Sequence, residues 1–188
     1  MTLGDPGIGV MLMMRGPGGL AGGRVIEGLV SHLDVVPTVC DLLGKPAPAA
    51  VEGRSLLPLV NGRVAPADFR DAIYAEQTYH GDACEPLRCI RTDRYKLLLR
   101  HLPVGPQIVG NSRSAKLLQR HGWHNRPLGH EELFDLYLDP TEACNRASDP
   151  AYAAVKRDLA DRLKAQMRRT GDPFVTGSIP PVPAQSGA

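Results

Sequence analysis

The chain has 188 residues, 43% hydrophobic and 22% charged, which is typical of a soluble globular protein with a buried core. Its net charge of +2 is too small to indicate nucleic acid or an anionic membrane as a partner, because both require a concentrated basic surface. No apolar run approaches the roughly 20 residues that span a bilayer, and Met1 to Arg15 lacks a basic leader region, which predicts no membrane span, no signal peptide and, by default, a cytoplasmic location.

The first predicted element is a strand. Val10-Met11-Leu12-Met13-Met14 is apolar on both faces, which favours a strand buried inside a sheet, and residues 25–30 are predicted to form a short extended piece. A buried strand needs neighbours on both sides, and little sequence precedes this one. If the chain is a fragment of a larger fold, we expect residues 10–14 and the apolar face of the next helix to be partly uncovered.

That helix is predicted to begin at Asp34, whose carboxylate can accept hydrogen bonds from free first-turn N–H groups. Pro37 fits the first turn, and Gly44 is a suitable left-handed residue at the end. The predicted apolar face consists of Val35, Val36, Val39, Leu42 and Leu43.

The middle of the chain is predicted to form an antiparallel sheet. Residues 72–79 and 87–99 are strand-like, the second with a hairpin turn at Thr92-Asp93-Arg94, and residues 133–138 form a further strand. Residues 102–130, with scattered Pro and Gly, are predicted to be loop.

The last helix has the clearest pattern. Asp149 can cap it, Pro150 suits its first position and Gly171 ends it. Its apolar stripe is Tyr152, Val155, Leu159, Leu163 and Met167. The proline-containing residues 173–188 are predicted to form an extended or disordered tail.

The spacing of the cysteines and histidines indicates few disulfide or metal sites. The chain has no CxxC pair, so its four cysteines are predicted to be reduced thiols, with Cys84–Cys89 as the one local disulfide to consider. His121, His124 and His130 could bind zinc, but Trp123 and nearby Gly and Pro favour an ordered loop. Two further sets are interpreted as structural: His32 with Asp34 as a helix entry, and Arg91, Arg94 and Lys96 as salt-bridged or solvated residues.

Six phrases, in this order, make the chain resemble the C-terminal third of sulfatases, in the alkaline-phosphatase-like superfamily, nearest to heparan N-sulfatase (sulfamidase)-like members. They are Asp5-Pro6-Gly7-Ile8 with Arg15-Gly16-Pro17-Gly18, Ser31-His32-Leu33-Asp34-Val35-Val36-Pro37-Thr38, Glu52-Gly53-Arg54-Ser55-Leu56-Leu57-Pro58-Leu59, Arg88-Cys89-Ile90-Arg91-Thr92-Asp93-Arg94-Tyr95-Lys96-Leu97, Glu132-Leu133-Phe134-Asp135-Leu136-Tyr137-Leu138-Asp139-Pro140-Thr141-Glu142, and Thr170-Gly171-Asp172-Pro173.

The resemblance implies an α/β fold with an α+β fragment in this chain. Residues 1–64 would be the last strand and helix of the alkaline-phosphatase-like α/β domain. Residues 68–172 would be the C-terminal subdomain, a small antiparallel sheet packed by a C-terminal helix, and residues 173–188 the tail.

The resemblance also implies a chemistry. Sulfatases attack sulfur with a formylglycine made in a Cys/Ser-X-Pro-X-Arg motif, beside a calcium ion held by Asp and Asn or Gln oxygens. Cys84-Glu85-Pro86-Leu87-Arg88 fits the bare pattern, but it leads into a strand, whereas the family's motif opens a helix near the N-terminus. The metal aspartates have no counterpart, and the family's substrate-contacting lysine would lie just ahead of Asp5-Pro6-Gly7, before Met1.

We therefore predict no catalytic residue and no metal ligand in this chain, and calcium only in the full-length family member. His80, at the end of a predicted strand, is the one candidate substrate-binding residue. The predicted function is the C-terminal part of a hydrolase of sulfate esters or sulfamates, inactive alone. Alternatives are a non-catalytic binding module and a phosphonate or phosphate ester hydrolase. Expected partners are the N-terminal half of the fold or a second copy, and a sulfated small molecule or glycan for the full-length enzyme.

Overall fold

The computed structural model describes residues 3–17, 19–80, 83–102, 110–125 and 128–178. The chain divides into two compact units, which we call the sheet unit (Met1–Gly9 with Tyr74–Ala188) and the helix unit (Val10–Ile73). The domain boundaries predicted at residues 64 and 68 stay a prediction.

The sheet unit is built on four strands in the order β1-β2-β3-β4. Their bounds are β1 (Ile73–His80), β2 (Ala83–Arg91), β3 (Tyr95–Arg100) and β4 (Glu131–Asp135). The predicted hairpin is confirmed, because β2 and β3 pair antiparallel and Thr92 N donates to Tyr95 O at 2.8 Å. The third predicted strand was misplaced, because the chain turns at residues 136–138, where Leu138 N donates to Asp135 O.

Side chains alternate between the two faces of this sheet. On one face, Leu87, Cys89, Leu98 and Phe134 form a buried cluster on which Leu3 packs. The other face carries the buried residues Ile90, Leu97 and Leu133. Contacts of the C-terminal helix lie on that second face, since Lys156 Nζ donates to Glu131 at 2.9 Å and the rings of Tyr95 and Tyr152 meet edge to face.

The C-terminal helix has the predicted signals. Asp149 accepts a hydrogen bond from Ala151 N and opens a 3-10 turn at Pro150–Tyr152, and α6 (Ala153–Thr170) follows and packs on β2 and β3. Gly171 ends α6 with φ of +66°, a conformation that glycine adopts without a steric penalty. Of the predicted stripe, Leu159, Leu163 and Met167 are buried. Among the described residues, no helix is long and apolar enough to cross a membrane.

Two segments of the sheet unit are more ordered than predicted. Residues 102–130 contain α5 (Arg113–Arg120) and a 3-10 turn at Trp123–Asn125, so loop was the wrong prediction there. The helix was missed because it buries only Ala115 and shows no apolar stripe; Ser112, which accepts from Ala115 N, caps it. Beyond α6, Pro173–Thr176 forms another 3-10 turn and Phe174 is buried, while residues 179–188 of the predicted tail lie outside the described residues.

The helix unit contains a 3-10 turn (His32–Asp34) and three short helices, α2 (Val35–Leu42), α3 (Leu57–Val60) and α4 (Pro66–Phe69). Its core is a cluster of Leu20, Leu56, Leu59, Val60 and Phe69. The Thr38 hydroxyl links two of these elements, because it accepts from Leu56 N at 2.9 Å and donates to Asp34 O. The predicted extended piece at residues 25–30 lies in this unit and forms no strand.

The strand predicted at residues 10–14 is not formed. Val10, Met11 and Met13 are 76%, 82% and 79% exposed. No hydrogen bond joins the main chain of residues 10–15 to any described residue. The physical reason is the one that the sequence suggests: no neighbouring strand pairs with the segment among the described residues. The segment is partly uncovered, as expected, because Met14 packs on the core cluster of the helix unit while Val10, Met11 and Met13 are exposed.

The apolar face of α2 is also partly uncovered, as expected. Val36, Val39 and Leu43 lie at a spacing of three and four residues, which places them on one side of the helix, and all three are exposed. Pro37 and Thr38, which lie outside the predicted apolar face, are the buried residues of this helix.

Candidate functional site

A single helical turn, α1 (Asp5–Ile8), precedes the exposed segment. Pro6 is compatible with its first turn, and Gly9 N donates to Asp5 O at 2.7 Å and closes it. Leu3 and Ile8, on either side of Asp5, pack on the apolar cluster of the sheet. Packing on the sheet unit therefore fixes the position of this turn.

Asp5, in this turn, binds three charged residues of the sheet unit. We call the four residues the Asp5 cluster: Asp5, Arg91, Lys96 and Glu142. Lys96 Nζ lies 2.9 Å from Asp5 Oδ1 and 3.0 Å from Glu142 Oε1. Arg91 Nη2 donates to Asp5 Oδ2 at 3.1 Å, and Asp5 N donates to Glu142 Oε1 at 2.6 Å. The turn is therefore tied to β2, to β3 and to the loop after β4.

The Asp5 cluster is largely shielded from water. The Lys96 side chain is 0% exposed and that of Glu142 is 8% exposed. Burial acts to raise the pKa of Asp5, but hydrogen bonds from Arg91 and Lys96 outweigh it and hold that pKa below its usual range. Glu142 adopts a positive φ of 55°, an uncommon conformation for a residue other than glycine, and from it reaches both Asp5 N and Lys96.

Of the three basic residues interpreted as salt-bridged or solvated, all form ion pairs. Arg91 and Lys96 bind Asp5, and Arg94 binds Asp135, with Arg94 Nη2 at 2.7 Å from the carboxylate. Solvation is wrong for Lys96, which is fully buried. The sequence signal for this was its place between Tyr95 and the apolar pair Leu97-Leu98 on a strand.

A second buried ion pair lies on the opposite face of the sheet. Arg88 Nε donates to Asp172 Oδ2, and Arg88 Nη1 donates to Gln77 O at 3.0 Å. The Arg88 guanidinium lies 4.4 Å from the centre of the Phe174 ring, on which His101 also stacks. Burial, aided by the charge of Arg88, lowers the pKa of His101.

The ion pair between Arg88 and Asp172 involves the arginine of Cys84-Glu85-Pro86-Leu87-Arg88, the segment that fits the bare Cys-X-Pro-X-Arg pattern. All five residues of this segment lie within β2, and Arg88 forms a salt bridge with Asp172. Cys84 and Cys89 are five residues apart on one strand, so their side chains point to opposite faces. Both thiols are free, as predicted, and the one local disulfide considered does not form. Burial raises the pKa of Cys89 to about 12, which keeps this thiol protonated.

The remaining candidates stay apart from the Asp5 cluster. His80 is the last residue of β1, and its side chain lies outside the described part of the structure, so its substrate-binding role stays a prediction. His121 ends α5, His124 lies in the following 3-10 turn, and His130 Nδ1 lies 3.2 Å from Arg100 O. Across the described ranges, no three His, Cys, Asp or Glu residues are grouped so that they could hold a metal ion.

Asp34 is a structural residue, as interpreted, but its capping role differs from the prediction. Its carboxylate accepts from Ser31 N at 2.8 Å, in a capping box whose first residue is Ser31. It also accepts from Arg54 N at 2.9 Å and pairs with Arg70 at 2.6 Å. Fully buried Asp34 therefore joins the start of α2 to two later loops.

Comparison with known proteins gives the class of protein to which these features belong, a C-terminal portion of a sulfatase. The family model described as N-sulphoglucosamine sulphohydrolase, C-terminal, matches residues 2–103, more than half of the chain. The chain belongs to this family.

Curated relatives agree with the family match. An ulvan-active sulfatase of Formosa agariphila is 29% identical over 175 residues, covering 91% of this chain and 35% of the relative. The N-sulphoglucosamine sulphohydrolase of Homo sapiens is 28% identical over 180 residues, covering 81% and 35%. The chain thus spans about a third of the length of these relatives.

Among solved structures, the phosphonate monoester hydrolase of Agrobacterium radiobacter matches with a TM-score of 0.55 and 28% identity, covering 82% of this chain and 27% of that one. A 2-O GAG sulfatase matches with a TM-score of 0.56 at 24% identity, which shows the shared fold. The alkaline-phosphatase-like fold class is therefore confirmed.

Proposed function

We propose that this chain is the C-terminal part of a hydrolase of sulfate esters or sulfamates and that its role is to complete and brace the catalytic domain. The family match carries the proposal. The resemblance places a substrate-contacting lysine just ahead of the Asp5 turn, so the Asp5 cluster would fix the position at which the chain leaves the active site. Its residues would act as positioning residues, because their charged groups are engaged with one another.

The partner of the chain would be the N-terminal two thirds of the same fold. The main-chain N–H and C=O groups of residues 10–15 have no partner in the described part of the chain, and Val10, Met11 and Met13 are exposed. A segment that is apolar on both faces fits between two strands of a sheet covered on both sides. The exposed stripe of α2 (Val36, Val39 and Leu43) supports the same partner, because an apolar helix face is stable only when another element covers it.

The N-terminal part would also supply the chemistry. The nucleophile and a calcium ion would be held there, because the described residues of this chain lack a group of ligands that fits a metal. When bound, the ion would polarise the ester oxygens. The likeness to a phosphonate monoester hydrolase supports a second candidate substrate class, phosphonate monoesters, for the same site.

The test compares two proteins, the 188-residue chain and the longer product read from the nearest upstream in-frame start. Each is assayed with p-nitrophenyl sulfate, N-sulfoglucosamine and a phosphonate monoester, with and without EDTA. We expect EDTA-sensitive turnover only from the longer protein. Turnover by the 188-residue chain, abolished by EDTA, would show that the nucleophile and metal site lie within this chain and would overturn the proposal.

A further inference from the structure

One segment of the chain concentrates positive charge. Residues 101–130 contain four basic residues, Arg113, Lys116, Arg120 and Arg126, and no Asp or Glu. The whole chain carries +2, so this segment carries +4 and all other residues together carry −2. Four of the six histidines lie in the same segment. The charge of the chain is therefore strongly asymmetric although its sum is small.

Helix α5 arranges three of these cations along one side. Arg113, Lys116 and Arg120 are spaced by three and four residues, so they lie on one face of the helix. The rise of an α-helix separates the first and the last by about 10 Å along the axis. All three are exposed, and none forms an ion pair with another described residue.

Their lack of partners distinguishes these cations from those on the sheet. Each basic side chain of β2 and β3 is paired with a carboxylate, and so is Arg94 in the turn between these strands. The paired residues are Arg88, Arg91, Arg94, Lys96 and Arg100. The basic residues of α5 are thus not needed to neutralise buried acids. An unneutralised row of cations at this spacing complements a polymer that repeats negative charges along its length.

An exposed aromatic side chain follows the same helix. Trp123 lies in the 3-10 turn that packs against α5, and its side chain is 41% exposed. An exposed indole offers a flat apolar surface with a polar edge, which suits the C–H face of a sugar ring. Cations beside a flat aromatic surface match a chain of sugars that bears sulfate or carboxylate groups.

We propose that Arg113, Lys116, Arg120 and Trp123, the basic helix surface, bind an anionic polysaccharide. This proposal rests on the proposed function, for which it names a polymeric, negatively charged substrate class. A sulfated glycan is favoured over nucleic acid because the chain belongs to a sulfatase family, and because the −2 carried by the other residues leaves no wide basic field for a duplex.

The test measures binding of the 188-residue chain to heparin by calorimetry and by salt elution from a heparin column. The variant is Arg113→Gln, Lys116→Gln and Arg120→Gln together, which keeps good helix formers at exposed positions. The matched control is Arg157→Gln, Lys164→Gln and Arg168→Gln, three exposed positions of α6, which removes the same charge elsewhere. Circular dichroism confirms that each variant is folded.

We expect the α5 variant to bind heparin about tenfold or more weakly than the unchanged chain and to elute at lower salt, with a much smaller effect of the α6 variant. Equal losses in both variants would show that only total charge matters and would overturn the proposal. Equal affinity for a DNA duplex and for heparin would overturn the assignment to a glycan. Because binding is measured without hydrolysis, failure here leaves the hydrolase proposal standing, and failure of the turnover assay leaves this proposal testable.

Discussion

Replacing Lys96 with methionine is expected to lower the free energy of unfolding of the sheet unit by about 3–5 kcal/mol, the range for removing one partner of a buried ion pair. Lys96 is fully buried and faces two carboxylates, those of Asp5 and Glu142. Methionine fills a similar volume but cannot compensate either charge. Arg91 would still neutralise Asp5, so the larger share of the penalty falls on Glu142.

Urea unfolding followed by circular dichroism measures this effect, with Lys164→Met on the exposed side of α6 as the control. Adding Glu142→Gln to Lys96→Met should restore part of the lost stability, because it removes the uncompensated charge. A change below about 1 kcal/mol for Lys96→Met would mean that the Asp5 cluster contributes no more than an exposed ion pair, contrary to our account.

Replacing Asp34 with alanine is expected to have a comparable effect on the helix unit, a loss of about 3 kcal/mol. The substitution leaves Ser31 N and Arg54 N without an acceptor and leaves the Arg70 guanidinium, 11% exposed, without its carboxylate. The capping box at the start of α2 would be lost at the same time.

Hydrogen exchange of the α2 amides measures the effect of Asp34→Ala on the helix unit itself. Asp34→Asn should be less harmful, because an amide oxygen can still accept from the main chain. The control is Glu27→Ala at an exposed position of the same unit, for which we expect no change. Unaltered exchange in Asp34→Ala would show that the buried carboxylate does not hold α2.

Local signals explain why part of the fold could be predicted. Asp149, Pro150 and Gly171 determine the ends of the C-terminal helix through capping and backbone preferences of single residues. The β2–β3 hairpin likewise depends on a short turn, in which Thr92 bonds to Tyr95. Such signals act over a few residues, and a sequence displays them directly.

The failures arose where structure depends on distant residues. The apolar pattern of residues 10–14 predicts a strand, but no neighbour supplies hydrogen bonds within the described residues, so no strand forms. In the Asp5 cluster, Lys96 binds Asp5 and Glu142, which lie 91 and 46 positions away from it in the sequence. No periodicity of the sequence reveals such contacts. The helix α5 was missed for a different reason, since its exposed basic face lacks the apolar stripe that identifies a packed helix.

The central claim is that residues 10–15 pair with none of the residues that the structure describes and become a strand when the N-terminal part of the fold is present. Hydrogen–deuterium exchange with mass spectrometry tests it most directly, by comparing these amides in the 188-residue chain and in the longer protein, with the amides of β2 and β3 as an internal reference. We predict near-unprotected exchange in the 188-residue chain and protection by about 100-fold or more in the longer protein. Slow exchange of residues 10–15 in the 188-residue chain, or equally fast exchange in both proteins, would contradict the account.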